Sequence, residues 1–151
     1  MQKIWINICM EKCEDIFIDS SYLIALGNPI DSLHNRAKEI AAHLVKTDHA
    51  FFITNFIFLE VVTVLSQRQG RKSALEVGTS LLIAPSIEML HIDPQLQQET
   101  WSIFHSVAFK DISFVDCSII ATMKAQGIST LLAFDTHFKK LQKHHRFSLY
   151  A

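Results

Sequence analysis

The sequence predicts an α/β fold in which helices cover both faces of a mainly parallel central sheet. Short runs of β-branched and aromatic residues alternate with longer runs of helical periodicity. Strands that are separated by helices are joined by crossovers, and crossovers connect parallel strands. The chain has 151 residues, 49% of them hydrophobic, with only 4 glycines and 3 prolines. This length and composition suit one domain with a sizeable core and short loops.

The predicted elements follow in order along the chain. A first strand covers residues 15–18 and ends at Asp19, and a short helix capped by Ser20 or Ser21 continues to Gly27. The next elements are helix 31–46, strand 51–53, a helix from its cap Thr54 to about Arg68, helix 72–83 and strand 87–92. The last are a helix from Asp93 to about Phe109, a helix from its cap Ser113 to about Gly127, strand 130–134, helix 136–143 and strand 146–149.

Composition argues against several classes of protein. The net charge is −1, so there is no overall basic excess of the kind that nucleic-acid binding produces. Cys9, Cys13 and Cys117 are an odd number without a second ligand pair, which argues against a disulfide scaffold or a zinc site and fits a reducing cytoplasm. No apolar run reaches the roughly 18–20 residues of a membrane span.

The start of the chain lies outside the pattern. Glu11 and Lys12 interrupt the apolar stretch there, so we expect neither a signal peptide nor an anchor. Residues 1–13 are interpreted as a flexible lead-in, an added strand, or residues upstream of a start at Met10. Residues 14–151 form the single predicted domain.

Four acidic residues stand alone in apolar runs. Asp19 and Asp135 each follow a predicted strand, Asp116 lies in the first turn of a helix, and Glu60 lies about one and a half turns into another. A buried carboxylate costs several kcal/mol unless something compensates it. Ligands of open parallel sheets bind beyond the carboxyl ends of the strands, so all four acids can meet at one edge. A divalent cation shared between them would compensate the cost.

Simpler explanations of these acids remain open. Each could meet a basic residue from elsewhere or face solvent, although Glu60 and Asp116 have no basic residue three or four positions away. Asp116 could serve only the helix start, but Ser113 already fills the cap position. Of two further acids in apolar surroundings, Glu76 has Lys72 as a pairing partner, whereas Glu88 has no evident partner.

These motifs resemble the PIN domain, in particular the VapC-type toxins of bacterial toxin–antitoxin pairs. The matching segments are IFIDSSYLIAL with Asp19, NFIFLEVVTVL with Glu60, the Ser-x-x-Asp helix start of Ser113 and Asp116, and LLAFDTHF with Asp135. The departure is His137, which stands where an acid is frequent in the family and puts in doubt only a peripheral metal contact. The resemblance implies a three-layer α/β/α PIN-like fold.

The resemblance also implies metal-dependent cleavage of RNA phosphodiester bonds with Mg²⁺ or Mn²⁺. Asp19 and Asp116 would be direct ligands, Asp135 a ligand directly or through water, and Glu60 a ligand or a water-orienting base. Ser21 and Ser113 would orient these carboxylates. The expected assembly is a cytoplasmic homodimer, with a small antitoxin covering the acidic pocket and no membrane partner.

Three other functions stay open. The chain could be a housekeeping RNA-processing or DNA-directed nuclease of the same fold, or a non-catalytic PIN-like module that binds RNA or a partner. An aspartyl-phosphate receiver also places an Asp after a strand, but it leaves Glu60 without a role. Two basic clusters, residues 68–72 and 139–146, are either phosphate contacts or solvated helix faces.

Overall fold

The computed structural model describes residues 14–150, and the predicted lead-in segment of residues 1–13 lies outside this range. The strands are β1 (Ile16–Ile18), β2 (Phe51–Thr54), β3 (Ile87–Leu90), β4 (Thr130–Leu132) and β5 (Ser148–Tyr150). The helices are α1 (Ser20–Gly27), α2 (His34–Leu44), α3 (Asn55–Gln69), α4 (Arg71–Ile83), α5 (Pro94–Ser106), α6 (Phe114–Gln126) and α7 (Phe138–Leu141).

The strands form one five-stranded sheet in the order β3-β2-β1-β4-β5, and all four pairings are parallel. At its centre, Phe17 pairs with Phe52 on one side and Leu131 on the other. All three residues of β1 are buried, as expected for a strand covered on both faces. The sheet and its seven helices confirm the predicted α/β fold with a mainly parallel sheet.

The connections determine where a ligand can bind. From β1 the chain runs through α1 and α2 to β2, and through α3 and α4 to β3 at one edge. Helices α5 and α6 then carry it back to β4, on the other side of β1. Right-handed crossovers place the first four helices on one face of the sheet and α5 and α6 on the other. The direction of winding reverses between β1 and β4, which opens a crevice at the carboxyl ends of these two strands.

Polar side chains explain why several elements are shorter than predicted. The helix predicted over residues 31–46 begins only at His34, because Asp31 Oδ1 accepts a hydrogen bond from the Leu33 amide at 2.9 Å and holds a turn. Strand β3 ends at Leu90, and the amide of Ile92 donates to Asn55 Oδ1 at 2.9 Å instead of to a strand.

The end of the chain is also less regular than predicted. Strand β4 ends at Leu132, not residue 134, and helix α7 has only four residues within the predicted 136–143. Strand β5 begins at Ser148, two residues later than predicted. Between α7 and β5, residues 142–144 form turns, residue 145 is a bend, and residues 146–147 have no regular structure.

The described residues bear on the predicted lack of a membrane span and on the state of Cys117. None of the helices between residues 14 and 150 is long and apolar enough to cross a membrane. Cys117 is a free thiol with no exposed surface, packed in the core, where burial raises its pKa to about 11. This environment keeps the thiol protonated and suits a packing role.

Candidate functional site

Asp19 lies at the end of the central strand β1 and is 1% exposed. Its amide donates to the Leu132 carbonyl at 2.9 Å, which joins it to the end of β4. Its Oδ2 accepts hydrogen bonds from the Ser21 amide at 2.9 Å and from the Ser21 hydroxyl. Asp19 itself therefore caps α1, and the prediction that Ser20 or Ser21 is the cap is wrong. The reason is that the carboxylate reaches the free amide of the first turn better than a serine inside that turn.

The buried position of Asp19 disfavours the ionised form of its carboxyl group. Burial raises the pKa of its carboxyl from 3.8 to about 7, although the two hydrogen bonds from Ser21 act to lower it. The nearby charges of Asp116 and Asp135 raise it further. These three carboxylates therefore lie close enough to repel one another.

Asp116 is 6% exposed and lies in the first turn of α6. Its Oδ2 accepts a hydrogen bond from the Ser113 amide at 2.7 Å, and its own amide donates to Ser113 Oγ at 3.0 Å. This is a capping box, so Asp116 does contribute to the helix start. The argument that Ser113 leaves Asp116 without a capping role is wrong, because the two residues cap the helix reciprocally.

Ser21 connects two parts of the site. Its hydroxyl donates to Asp19 Oδ2 and accepts from the amide of Phe134 at 3.0 Å. Phe134 immediately precedes Asp135, and its ring packs edge-on against buried Tyr22 with centroids 5.6 Å apart. Ser21 thus ties the Asp19 carboxylate to the segment that carries Asp135.

Asp135 lies on the rim of the site and is exposed, so the expectation of a buried carboxylate is wrong for this residue. It follows the end of β4 by three residues, where the chain has turned away from the sheet. Partial loss of solvent still raises its pKa, His137 opposes this rise, and the charge of Asp116 adds to it. Its electrostatic contact with Asp116 makes it the third member of the acidic group.

Glu60 faces a neighbouring part of the crevice. It is partly exposed and lines a cavity of about 290 Å³ whose wall also includes Ser21 and Asp135. Asp19 and Asp116 are not on that wall, and Glu60 is not among the charges that perturb Asp19. The structure therefore brings Glu60 to the same edge as the other acids but places it at the margin of the group.

The wall of this cavity also carries Asp31 and Arg68. Arg68 lies on the same stripe of α3 as Glu60 and Val64, four residues apart each time. The sequence pattern identified Arg68 only as part of a basic cluster and gave no signal for Asp31, because the turn that brings Asp31 to the cavity follows from tertiary contacts.

His137 lies nearer to the acidic group than its sequence position predicted. Its Nε2 lies 3.2 Å from Asp116 Oδ2, and the side chain is 18% exposed. The nitrogen atom itself is buried and has no hydrogen-bond partner within residues 14–150. The departure from the family pattern was the only signal, and it suggested a peripheral position.

The side chains of the acidic group are not arranged as a complete set of ligands around one metal ion. Across the described residues, no three acidic, histidine or cysteine side chains are placed so that they could hold an ion together. Each buried carboxylate uses Oδ2 for its hydrogen bonds, and Oδ1 accepts none from the described part of the chain. One oxygen of each is thus fixed by the fold while the other is available, a donor set that suits a hard cation held partly through water.

The two other acids are separate from this group. Glu88 is exposed and lines a groove with Asp15, Asp48 and His49, which precede their strands at the opposite end of the sheet. Glu76 is exposed, and the described residues contain no ion pair between it and Lys72, so the predicted pairing is wrong. Solvent compensates the Glu76 charge instead, since the side chain is exposed.

Known proteins resemble this chain in sequence and in fold. The family model of the PIN domain matches residues 16–144. The chain is 28% identical over 123 residues to the 23S rRNA-specific endonuclease VapC20 of Mycobacterium tuberculosis, which covers 82% of this chain and 91% of that protein.

Solved structures give the same result. The crystal structure of VapC20, described as a Sarcin-Ricin loop cleaving toxin, has a TM-score of 0.76 and 27% identity, covering 83% of this chain and 94% of that one. VapBC2 from Rickettsia felis, bound to a DNA fragment from its promoter, shares the fold at a TM-score of 0.63 and 11% identity, covering 90% of this chain and 97% of that one. With the family match spanning most of the chain and the acids on one sheet edge, the protein belongs to the PIN domain family.

Proposed function

We propose that this protein is a divalent-metal-dependent endoribonuclease, the toxin of a toxin–antitoxin pair. The proposed catalytic and metal-binding residues are Asp19, Glu60, Asp116 and Asp135. The observation that carries the proposal is the position of Asp19. It is a buried carboxylate at the switch point of the sheet, with two further acids close enough to raise its pKa. Such repulsion is costly unless a cation binds there.

The donor chemistry favours Mg²⁺ or Mn²⁺, because both prefer oxygen ligands and keep part of their water shell. A bound ion would supply a nucleophilic water at neutral pH and would shield the phosphate charge. Asp19 and Asp116, fixed through Ser21 and the Ser113 amide, hold the free oxygen of each carboxylate in place. Asp135 and Glu60 come from the accessible side, where they can contact an ion directly or orient water.

RNA is the substrate that the similarity to VapC20 favours, since that relative is a 23S rRNA-specific endonuclease. Among the described residues that line the crevice, Arg68 is a suitable phosphate contact. Arg68 lies on the same cavity wall as Glu60 and Asp135, so a strand crossing the acids would pass its guanidinium. In contrast, Lys140 of the second basic cluster is already paired with Asp111 at 2.6 Å.

The proposed assembly is a cytoplasmic homodimer with a protein antitoxin. Structures that share the fold include a toxin–antitoxin complex from Klebsiella pneumoniae and VapBC-1 from nontypeable Haemophilus influenzae. On α3 and α4, Leu59, Leu75, Leu82 and Ile83 are each more than half exposed. Exposed apolar side chains on adjacent helices are typical of surfaces that another chain covers. The cytoplasm is where an RNA substrate and a reduced Cys117 would be found.

The test is RNA cleavage by the purified protein with Mg²⁺, with Mn²⁺ or with a chelator. We expect cleavage that requires the ion and is lost in Asp116→Asn. The variant should fold, because an amide oxygen can still accept the Ser113 hydrogen bond. Full activity of folded Asp116→Asn, or cleavage that persists in chelator, would refute the proposal.

Expression in a bacterial host tests the toxin assignment separately. We expect growth arrest by the wild type, none by Asp116→Asn, and relief by the small reading frame next to the gene. Cleavage without toxicity would instead indicate a housekeeping nuclease.

A further inference from the structure

We propose that a row of aromatic rings beside the acidic crevice is a platform on which unpaired bases of a single-stranded RNA stack. This aromatic row consists of four side chains in contact, those of Phe56, Phe114, Phe104 and Trp101. The inference rests on the proposed ribonuclease function and goes further, because it assigns the surface that holds the bases of the substrate. The proposed catalytic acids act at the phosphate instead.

The aromatic row begins at the acidic group. Phe114 is the first residue of α6, two positions before Asp116. Phe56 lies in the first turn of α3, four positions before Glu60, and therefore on the same side of that helix. The centroids of the two rings are 6.3 Å apart. Because α3 and α6 cover opposite faces of the sheet, these rings meet at its carboxyl edge, where the acids lie.

From this edge the row continues across α5 toward solvent. The ring of Phe104 packs edge-on against Phe114 with centroids 5.7 Å apart, and the Trp101 ring lies 6.1 Å beyond Phe104. Phe56 and Phe114 are partly buried, whereas Phe104 is 38% and Trp101 58% exposed. Packing therefore fixes the inner rings, and the outer two present open surface to a ligand.

The type of exposed apolar residue separates this surface from one that another protein would cover. Among the described residues before position 84, the exposed large apolar side chains are all aliphatic, and four of them lie on α3 and α4. After position 84 they are all aromatic, namely Trp101, Phe104 and Phe109. Only aromatic rings offer a flat π face, on which any nucleobase can stack.

One of these three rings is already occupied. The ammonium of Lys140 lies 5.3 Å from the centre of the Phe109 ring. Trp101 and Phe104 have no such cation in the described part of the chain, and their contacts are with the aromatic row itself. The exposed faces of these two rings are therefore the ones we assign to the RNA bases.

The charge of the chain also favours stacking as a source of affinity. The net charge is −1 and the crevice is acidic, so no overall basic excess attracts a polyanion. Stacking on an aromatic ring requires no charge, and each stacked base typically contributes about five- to a hundredfold in affinity. Gln97 and His105, four residues on either side of Trp101, are exposed and offer hydrogen-bonding groups to base edges.

Such a platform selects unpaired RNA. The bases of a double helix are stacked on one another and cannot lie flat on a protein ring, whereas the bases of single strands and loops can. We therefore expect single-stranded RNA to bind more tightly than a duplex of the same length.

Fluorescence anisotropy with a single-stranded oligouridylate of about twelve nucleotides measures the binding. All proteins are full-length and carry Asp116→Asn, so that the RNA is not cleaved. The further variants are Trp101→Leu, which keeps an apolar side chain without a π face, and Trp101→Phe, which keeps a ring. Val45→Ala is the control, because Val45 is an exposed apolar residue on α2, at 85% exposure, outside the aromatic row.

We expect Trp101→Leu to weaken oligouridylate binding about fivefold or more, and Trp101→Phe to retain most of the affinity. Val45→Ala should bind like the parent protein. The salt dependence of binding should not change in Trp101→Leu, because no phosphate contact is lost. Its affinity for duplex RNA should also be unchanged.

Tryptophan fluorescence tests the stacking directly. The chain has two tryptophans, so Trp5→Phe leaves Trp101 as the only one. We expect oligouridylate to quench the emission of Trp101, and an abasic ribose-phosphate oligomer of the same length to leave it unchanged. Quenching of equal size by both oligomers would contradict stacking.

Three outcomes of the binding experiment would overturn the inference. Equal affinity of Trp101→Leu and the parent protein would mean that no base stacks there, and metal-dependent cleavage by the wild type would still support the proposed function. Equal losses for single-stranded and duplex RNA would indicate a general effect on the fold. If size-exclusion chromatography shows that Trp101→Leu converts a dimer into monomers, the row is an interface between copies of the chain.

The proposed function can also fail alone. Wild-type protein that binds oligouridylate through Trp101 but cleaves no RNA with Mg²⁺ or Mn²⁺ would refute the ribonuclease and leave the base-stacking platform in place.

Discussion

Replacing the buried Asp19 carboxylate by a neutral amide should stabilise the metal-free protein. Asp19→Asn keeps the shape of the side chain and an oxygen that can accept from the Ser21 amide. It removes a charge whose pKa is raised to about 7. Raising a carboxyl pKa from 3.8 to about 7 costs the folded state up to about 4 kcal/mol once the group is ionised.

The stability gained by Asp19→Asn should increase as pH rises. The pKa of Asp19 is higher in the folded than in the unfolded chain, so the folded state binds more protons between about pH 4 and 7. Metal-free wild type therefore loses stability from this group as pH rises through that window. We expect Asp19→Asn to gain between about 1 and 2 kcal/mol near pH 5 and up to about 4 kcal/mol near pH 8. For a chain of this size the larger value raises Tm by roughly 8–16 °C.

Thermal unfolding in the presence of a chelator measures this, with Asp111→Asn as the matched control. Asp111 is exposed, and its hydrogen bond with Lys140 lowers its pKa, so its replacement should not give a gain that grows with pH. Added Mn²⁺ should stabilise the wild type by mass action but not Asp19→Asn. A gain that is the same at both pH values, or a variant less stable than wild type near pH 8, would refute the electrostatic reasoning.

Two further variants test the parts of the site around these acids. Ser21→Ala should lower the free energy of unfolding by about 1–3 kcal/mol, because the amide of Phe134 loses its acceptor. It should also weaken Mn²⁺ binding about tenfold or more. Denaturant unfolding measures the first effect and calorimetry the second, and unchanged metal affinity would contradict a positioning role for Ser21. Arg68→Ala should weaken RNA binding and reduce its salt dependence by about 0.7 of one log–log slope unit, with metal affinity unchanged. The control Arg71→Ala, at an exposed residue outside the cavity wall, should have a smaller effect in fluorescence anisotropy, and equal losses in both variants would contradict a specific contact.

The sequence predicted the parts of the site that depend on short, local patterns. The run Ile16-Phe17-Ile18 is apolar without alternation, which is typical of a central strand buried on both faces, so the position of Asp19 at its end followed directly. Thr54 and Ser113 occupy the predicted helix starts and make the expected cap hydrogen bonds. The fold class and the family, which were also predicted from such local patterns, are confirmed.

The parts that depend on how segments meet in space were not predictable. Asp135 looked buried because its neighbours in sequence are apolar, but the chain leaves the sheet after Leu132 and exposes it. The contact of His137 with Asp116 joins residues from two segments that only the crossover brings together. The reciprocal capping by Asp116 differs from the prediction, because a serine in the cap position leaves its own amide free to bond a carboxylate three residues later.

The proposed function depends most directly on whether the acids at the β1–β4 crevice bind a divalent ion. Calorimetric titration of Mn²⁺ into wild type, Asp116→Asn and Glu88→Gln decides this, because Glu88 is an exposed acid at the opposite end of the sheet. We predict saturable binding by the wild type and Glu88→Gln, and its loss in folded Asp116→Asn. Absence of binding to the wild type, or equal binding by Asp116→Asn, would contradict the account.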